Sequence, residues 1–155
     1  AYAILSGLVG SEMCIRDRSD KDYIFSGENN DQFDIKKGVS LLNTISKYDN
    51  AQAAIISNGY ILGIEATEGP DQLLKRVAIE NKKLKLIKRE GILIKISKIN
   101  QSNITDNPVI GPKTVINAVK ANLNGIAIKK VNTIVFNKKM TVRLLNKNKI
   151  NLYFI

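Results

Sequence analysis

The sequence predicts an α/β fold in which helices flank a mixed sheet. Short β-branched segments alternate along the chain with segments whose apolar residues recur every three to four positions, and this alternation is typical of strands and amphipathic helices in turn. Prolines and an Asn-Gly step mark boundaries between these segments. The 155 residues, 44% of them apolar, are enough for one domain with its own hydrophobic core.

The first half of this domain is predicted to contain a helix followed by a hairpin. Residues 26–31 (SGENND) are polar and turn-like, so a helix should start after them. Residues 51–57 and 60–66 predict two strands, because the Asn58-Gly59 step between them tolerates the positive φ angles of a tight hairpin turn. The apolar face of the helix should consist of Ile35, Val39 and Leu42, with Leu41 and Ile45 beside them.

The second half is predicted to alternate helices and strands. Pro70 and Pro112 each suit the first turn of a helix, where a missing N–H costs nothing. The helix from Pro112 should end at Asn124-Gly125. Between the two helices, residues 91–97 (GILIKIS) predict a buried central strand. The remaining predicted elements are the strands GIAIKK and NTIVFN, the helix KKMTVRLLNKNK and the closing strand NLYFI.

Residues 1–19 fit no element of this fold. They lack helical or strand periodicity and contain the single cysteine, Cys14. Residues 6–19 (SGLVGSEMCIRDRS) resemble translated sequencing-adapter read-through, whereas a secretory signal would need a longer apolar run and a small-residue cleavage site. We therefore expect residues 1–19 to be an artefactual or disordered leader, residues 20–155 to be the domain, and the natural N-terminal part of the gene product to be missing.

Composition limits the chemistry available to the chain. With no histidine and a single cysteine, histidine-based catalysis and a disulfide framework are excluded. No apolar run is long enough to cross a bilayer. The formal net charge of +10 and the sequence pI of 9.7 suit an anionic partner such as a phosphate ester, nucleic acid or an acidic membrane. Scattered surface lysine from an AT-rich coding sequence explains the same charge without any partner.

Two connections bring acidic side chains to positions where a ligand could bind. Glu65, Glu68 and Asp71 lie where a strand ends and a helix begins, and Asp106 lies in a polar loop at residues 98–111. Ligands of α/β sheets bind beyond the carboxyl ends of the strands. Four carboxylates there would suit a hard cation such as Mg²⁺, and metal-assisted attack of water on phosphorus needs no histidine. The bases that would offset phosphate charge are Lys75, Arg76, Lys95 and Lys98.

Each of these residues also has a purely structural explanation. Glu68 and Asp71 near a helix N-terminus interact favourably with the helix dipole. Asp106, before Asn-Pro, suits an ordinary turn. Lys95 on a strand can extend its ammonium group to solvent. Spacing alone therefore leaves both explanations open.

Longer motifs resemble those of one enzyme family. Residues 63–76 (GIEATEGPDQLLKR) resemble the E-A-x-E-G-T-D-x-x-x-x-R segment of the LpxI family of UDP-2,3-diacylglucosamine pyrophosphatases. Residues 92–115 (ILIKISKINQSNITDNPVIGPKTV) are similar to its strand, lysine-bearing loop and D-L-P-T-I-G motif. Residues 47–66 and 122–137 are similar to its D-x-G-Q hairpin and its closing G-I-A segment. The resemblance keeps the family's order and covers its C-terminal domain.

The resemblance implies a hydrolase of lipid A biosynthesis in Gram-negative bacteria. The family hydrolyses the diphosphate of UDP-2,3-diacylglucosamine to UMP and 2,3-diacylglucosamine 1-phosphate, with a divalent metal that is usually Mg²⁺. Its essential aspartate corresponds to Asp106, which is thereby implied to be catalytic or metal-directing. The other metal ligands implied by the acidic motif are Glu65, Glu68 and Asp71. The substrate-binding residues implied are Lys95, Lys98, Arg76, Gly69 and Gly111.

Departures from the family pattern qualify this expectation. Pro70 and Val109 stand where the family has threonine, so two hydroxyls that could bond a phosphate are absent. Asn107 replaces a leucine and Ala51 a glycine. The family also has a Rossmann-like N-terminal domain that closes the substrate cleft, and without it we expect this chain to be weakly active.

The resemblance also sets the expected partners and location. The expected partners are the UDP-linked diacylated substrate and the missing N-terminal domain, and no nucleic acid is expected. The expected location is the cytoplasm. A peripheral contact between the surface lysines and the inner membrane stays open.

Two other function classes stay open as well. The +10 charge would suit a nucleic-acid-binding module, recognised by steeply salt-dependent binding. The lost hydroxyls would suit a catalytically degenerate interaction domain, and metal binding would count against it.

Asp106 is the residue on which the implied reaction depends most. In a full-length protein that contains both domains, Asp106→Ala should lower turnover of UDP-2,3-diacylglucosamine by about 10²-fold or more, as expected for loss of a group acting on the attacking water. Circular dichroism should show an unchanged fold. Turnover equal to that of the parent protein would remove Asp106 from the mechanism.

Overall fold

Strands and helices alternate along most of the chain, as the sequence predicts. The computed structural model describes residues 12–14, 29–48, 51–97, 107–129 and 133–155. In chain order the elements are β1 (Glu12–Cys14), α1 (Asn29–Ile45), β2 (Ala53–Ser57), β3 (Tyr60–Ile64), α2 (Pro70–Leu84), β4 (Ile92–Lys95), β5 (Val109–Ile110), α3 (Pro112–Lys120), β6 (Gly125–Ile128), β7 (Ile134–Phe136), α4 (Lys138–Asn148) and β8 (Asn151–Phe154).

The main sheet has five strands in the order β3-β2-β4-β6-β8. Strand β2 is antiparallel to both of its neighbours, whereas β4, β6 and β8 are mutually parallel. A second, three-stranded sheet has the order β1-β7-β5. The predicted mixed α/β fold is thereby confirmed. Within the described residues, no helix combines the length and apolar character needed to cross a membrane.

Strand β4 is the centre of the fold, as its apolar run predicts. All four of its residues are buried. Leu93 packs into the cluster formed with α2, α3 and α4, while Ile92 and Ile94 pack into the cluster formed with α1. Successive side chains of a strand point to opposite faces, so a strand covered on both sides needs apolar residues throughout. Helix α1 approaches closely at Gly38, where an added Cβ would lie 2.6 Å from Ile94 Cδ1.

The hairpin turn is held by a carboxylate from α1. Asn58 and Gly59 have φ angles of 48° and 80°, the left-handed conformation that the Asn-Gly step predicts. Both of their N–H groups donate to Asp34, to Oδ2 at 2.8 Å and to Oδ1 at 2.7 Å. Asp34 is itself buried. One acidic side chain therefore fixes the hairpin against the helix that precedes it.

Helix α3 is shorter than predicted, which corrects the expected end at Asn124-Gly125. It ends at Lys120, and Asn122 takes a left-handed φ of 59°. The Leu123 N–H then donates to the Ala118 carbonyl at 3.0 Å, which closes the helix with a bond to a residue five positions back. Asparagine tolerates this conformation, so the helix ends before glycine is reached.

Two short strands lie outside the predicted elements. Strand β5 falls in the predicted loop at residues 98–111 and pairs parallel to β7. A strand of two residues has too little periodicity to be recognised. Strand β1 pairs antiparallel to β7. It lies in the predicted leader; the rest of residues 1–19 lies outside the described residues, and the division of the chain at residue 19 stays a prediction.

Removal of the Asp34 carboxylate should destabilise the fold. Asp34→Ala leaves two turn N–H groups without their charged acceptor, which should lower the free energy of unfolding by about 2–3 kcal/mol. The matched control is Glu80→Ala, which removes an exposed carboxylate paired with Lys83 at 2.8 Å and should cost less than about 1 kcal/mol. Urea unfolding compares the two variants, and equal losses would contradict this role for Asp34.

Candidate functional site

Two of the predicted connections leave the main sheet at the same edge. Because β2 is antiparallel to both β3 and β4, those two strands run in the same direction and end on the same side. The Glu65 N–H donates to the Ala53 carbonyl at 2.9 Å, and Ala53 pairs with Lys95 across the ladder. The chain that follows β3 and the chain that follows β4 therefore begin beside each other.

A cleft of about 560 Å³ lies where helices α2 and α3 begin. Both helices start with a Gly-Pro step, Gly69-Pro70 and Gly111-Pro112, and both steps line the cleft. The first N–H groups of a helix have no acceptor within the helix. Neither N-cap glycine has a side chain that could accept them. Two positive helix ends therefore border one cleft, which is an arrangement that favours an anion.

Lys95 lies at the floor of this cleft and is only 6% exposed. It follows Leu93 by two positions, so its side chain leaves β4 on the face covered by α2 and α3. Its ammonium group donates to the Val109 carbonyl. Burial lowers the pKa of Lys95, and the negative charges of Glu65 and Asp71 partly oppose this change. A buried cation that two acids support is well placed to meet a second negative charge.

Asp71 has basic and polar partners from α3. Its Oδ2 lies 2.9 Å from the Lys113 Nζ, and its Oδ1 accepts from the Asn117 Nδ2 at 3.3 Å. Asp71 and Lys113 belong to the first turns of different helices. The pair therefore links the two helix N-termini at the mouth of the cleft.

Glu68 and Glu65 have different partners from Asp71. Glu68 Oε1 accepts from the Arg76 Nη2 at 2.8 Å, and the same nitrogen donates to the Ile64 carbonyl at 3.1 Å. A hydrogen bond from its own backbone N–H, followed by the bond from Arg76, lowers the pKa of Glu68. Glu65 Oε2 accepts from the Gln52 N–H at 2.9 Å. The three carboxylates of the acidic turn thus serve three separate sets of donors.

The predicted metal site is only partly covered by the described residues. Within them, no three acidic, histidine or cysteine side chains gather as a metal ligand set. Asp106, the fourth predicted ligand, and Lys98 lie outside the described residues. Glu65, Glu68 and Asp71 do not by themselves form a cation site. Their assignment as ligands stays a prediction.

The cleft brings together most of the predicted substrate-binding residues that the structure describes. Gly69, Lys95 and Gly111 line it with Glu68 and Asp71. Arg76 lies beside it and reaches it through its bond to Glu68.

The sequence reasoning missed three residues at the cleft and in its hydrogen bonds, Lys113, Thr114 and Asn117. Thr114 accepts from the Gly111 N–H at 3.2 Å. The repeated Gly-Pro step, at residues 69–70 and 111–112, is the sequence signal that could have pointed to the α3 N-terminus.

Comparisons with known proteins agree with the resemblance seen in the motifs. A family model described as the LpxI C-terminal domain matches residues 25–153. The UDP-2,3-diacylglucosamine pyrophosphatase LpxI of Caulobacter vibrioides is 37% identical to this chain over 95 residues. Those residues are 60% of this chain and 34% of that protein, so the chain spans about a third of the length of its curated relative.

The low pKa of Lys95 should be visible in the pH dependence of stability. Between the folded-state pKa and the ordinary value of 10.5, the unfolded chain binds more protons at this site, so the free energy of unfolding should rise with pH up to about 10.5. Lys95→Met lacks this contribution. Urea unfolding from neutral to alkaline pH should show the parent chain gaining stability relative to the variant. If the difference in free energy of unfolding between the parent chain and Lys95→Met stayed constant or decreased as the pH rose, a lowered pKa of Lys95 would be contradicted.

Proposed function

This chain belongs to the LpxI family, as its motifs predict, and from that membership we propose that its cleft binds the diphosphate of UDP-2,3-diacylglucosamine for hydrolysis. The products would be UMP and 2,3-diacylglucosamine 1-phosphate. The observation that carries the proposal is the meeting of two uncapped helix N-termini at a buried lysine. The curated relative is named for this substrate. Two lysines and two helix N-termini give the cleft cationic groups and donors, and Glu68 and Asp71 place two negative charges beside them.

The cleft offers the kinds of donor that bind a diphosphate. A diphosphate diester carries about two negative charges, one on each phosphate. The helix ends at Gly69 and Gly111 each offer backbone N–H groups and a positive dipole end. Lys95 adds a full cation from the floor, and Lys113 adds a second at the mouth. Charge-assisted hydrogen bonds of this type are about twice as strong as neutral ones.

These groups would act on the transition state as well as on binding. When water attacks one phosphorus, negative charge grows on the phosphate that leaves. Fixed donors aimed at growing charge lower the barrier because they need no rearrangement during the reaction. Lys95 is held by the Val109 carbonyl and buried from water, so it would provide such a fixed donor. Glu65 and Asp71 would keep it charged, since their own charges favour its ammonium form.

The attacking water and the metal form a separate part of the proposal. We assign orientation or deprotonation of the water to Asp106, by the family's motif alone. A divalent cation, Mg²⁺ in the first instance, would be held by Asp106 with carboxylates of the acidic turn and would neutralise phosphate charge. Glu68 and Asp71 are the most suitable of these, because both already line the cleft. Loss of activity in EDTA and its recovery on adding Mg²⁺ would support this assignment.

The proposal includes a second wall for the cleft. The chain spans about a third of its curated relative, so residues outside this chain have room to contribute the uridine and acyl-chain contacts. We expect the isolated chain to bind diphosphate and to hydrolyse the full substrate more slowly than a two-domain relative. Equal turnover by the two would contradict the need for a second wall.

Lys95 and the helix N-termini can be tested together. Lys95→Met should lower UMP release from UDP-2,3-diacylglucosamine by about 10²-fold, comparable to loss of one fixed donor to a growing negative charge. The matched control, Lys139→Met on α4, removes an exposed lysine outside the cleft and should leave the rate unchanged.

A binding measurement covers the case of slow turnover. Inorganic pyrophosphate should shift the amide NMR signals of the non-proline residues in 69–72 and 111–114 of the parent chain, and the shifts should weaken in Lys95→Met. Shifts confined to other parts of the chain would refute a diphosphate site at this cleft.

A further inference from the structure

The end of the molecule opposite the cleft combines positive charge with exposed apolar side chains. Residues 82–89 (KKLKLIKR) begin in the last turn of α2 and contain five bases and no acid. Leu84 is 66% exposed and Ile87 is 101% exposed. Ile87 is thus as accessible as in an extended chain, in the middle of a basic segment.

The hairpin turn extends this surface. The Asn58 Nδ2 donates to the Glu90 Oε2 at 3.0 Å, which joins the turn to the end of the basic segment. Tyr60, just after the turn, is 75% exposed. Phe33 is also exposed and lies against the turn, where an added Cβ on Gly59 would be 3.4 Å from its ring. We call residues 82–89 together with Phe33 and Tyr60 the distal surface.

Hydrogen bonds fix the basic segment to the rest of the domain. Asn122 donates through Nδ2 to the Lys88 carbonyl at 2.8 Å and accepts from the Glu90 N–H at 3.0 Å. Arg89 donates to the Asn148 carbonyl at the end of α4. These bonds fix the backbone just after Ile87, and the Lys85 N–H, which donates to the Lys82 carbonyl at 3.3 Å, fixes it just before. The exposure of the Ile87 side chain is therefore a property of the fold.

Helix electrostatics explain only part of this arrangement. Lysines in the last turn of a helix interact favourably with the negative end of the dipole, which accounts for Lys82 and Lys83. The same effect gives no reason for Leu84 and Ile87 to face water. Alternating lysine and aliphatic residues suit a partner that offers negative charge and an apolar interior together. An anionic bilayer offers both within a few ångströms.

We propose that the distal surface docks on an anionic lipid bilayer, with Leu84 and Ile87 entering the boundary between headgroups and acyl chains. Nucleic acid would use the lysines but has no use for two aliphatic side chains between them. Helix α2 has 15 residues and a length of about 22 Å, so docking at its C-terminal end leaves the cleft at its N-terminus open. The proposal rests on the surface alone and does not depend on the reaction at the cleft.

Vesicle flotation tests the proposal with the whole chain. It should bind vesicles that mix phosphatidylglycerol with phosphatidylcholine at physiological ionic strength, and it should not bind pure phosphatidylcholine vesicles. Lys85→Glu/Lys88→Glu should weaken binding by at least about 25-fold, since each lysine near an anionic surface contributes about fivefold. The control Lys139→Glu/Arg143→Glu on α4 makes the same change in net charge and should alter binding by less than about threefold.

A second pair of variants separates a bilayer from other anionic partners. Leu84→Ser/Ile87→Ser keeps every charge and should weaken vesicle binding by about tenfold or more, because both side chains lose their apolar burial. The proposal would be overturned if the two pairs of charge substitutions weakened vesicle binding equally and Leu84→Ser/Ile87→Ser had no effect. That result would indicate general attraction between opposite charges. Absence of binding to anionic vesicles would also overturn the proposal. The surface would be assigned to nucleic acid instead if the chain bound duplex DNA, Lys85→Glu/Lys88→Glu abolished that binding and the serine pair left it intact.

Discussion

The burial of a lysine at the end of the central strand is the constraint on which the candidate site depends. An ammonium group loses hydration when it is buried, and that loss is large unless nearby groups replace the water. Here the Val109 carbonyl accepts its hydrogen bond, and the charges of Glu65 and Asp71 favour its cationic form. The acids of the turn therefore have a role even before any ligand binds, because their charges favour the cationic form of a lysine that lies beneath two helix N-termini.

The fold separates two kinds of surface along the direction of the parallel strands. At the carboxyl ends of β3 and β4 lie the acidic turn, the helix N-termini and the cleft. At the other end lie the last turn of α2, the basic segment and the hairpin turn. Helices α2 and α3 begin on the side where β3 and β4 end, and α2 runs back toward the other end, which produces this polarity. Binding chemistry and docking chemistry can therefore occupy opposite ends.

Elements with strong local signals could be predicted, and those that depend on distant contacts could not. Pro70, Pro112 and Asn58-Gly59 act through the conformations they allow at their own positions, and each was assigned correctly. The end of α3 was placed four residues too late, because Asn122 closes the helix where glycine was expected. The candidate site was predicted as four acidic metal ligands together with Lys95, Lys98, Arg76, Gly69 and Gly111 as substrate-binding residues. In the described residues Gly69, Lys95 and Gly111 line one cleft, and Asp71 pairs with Lys113, which was not predicted.

The sequence by itself determined the α/β class, the central position of β4, the starts of α2, α3 and α4 and the family, because these follow from periodicity, turn residues and motifs that lie close together in the chain. The start of α1 was predicted too late, because the helix begins at Asn29, inside the segment predicted to be a turn. Only the tertiary structure decided that residues 69–71 and 111–114 border the same cleft, that Lys95 is buried beneath them, and that Leu84 and Ile87 face water. Burial and charge pairing depend on which distant segments meet. That information belongs to the packed chain and not to any short stretch of it.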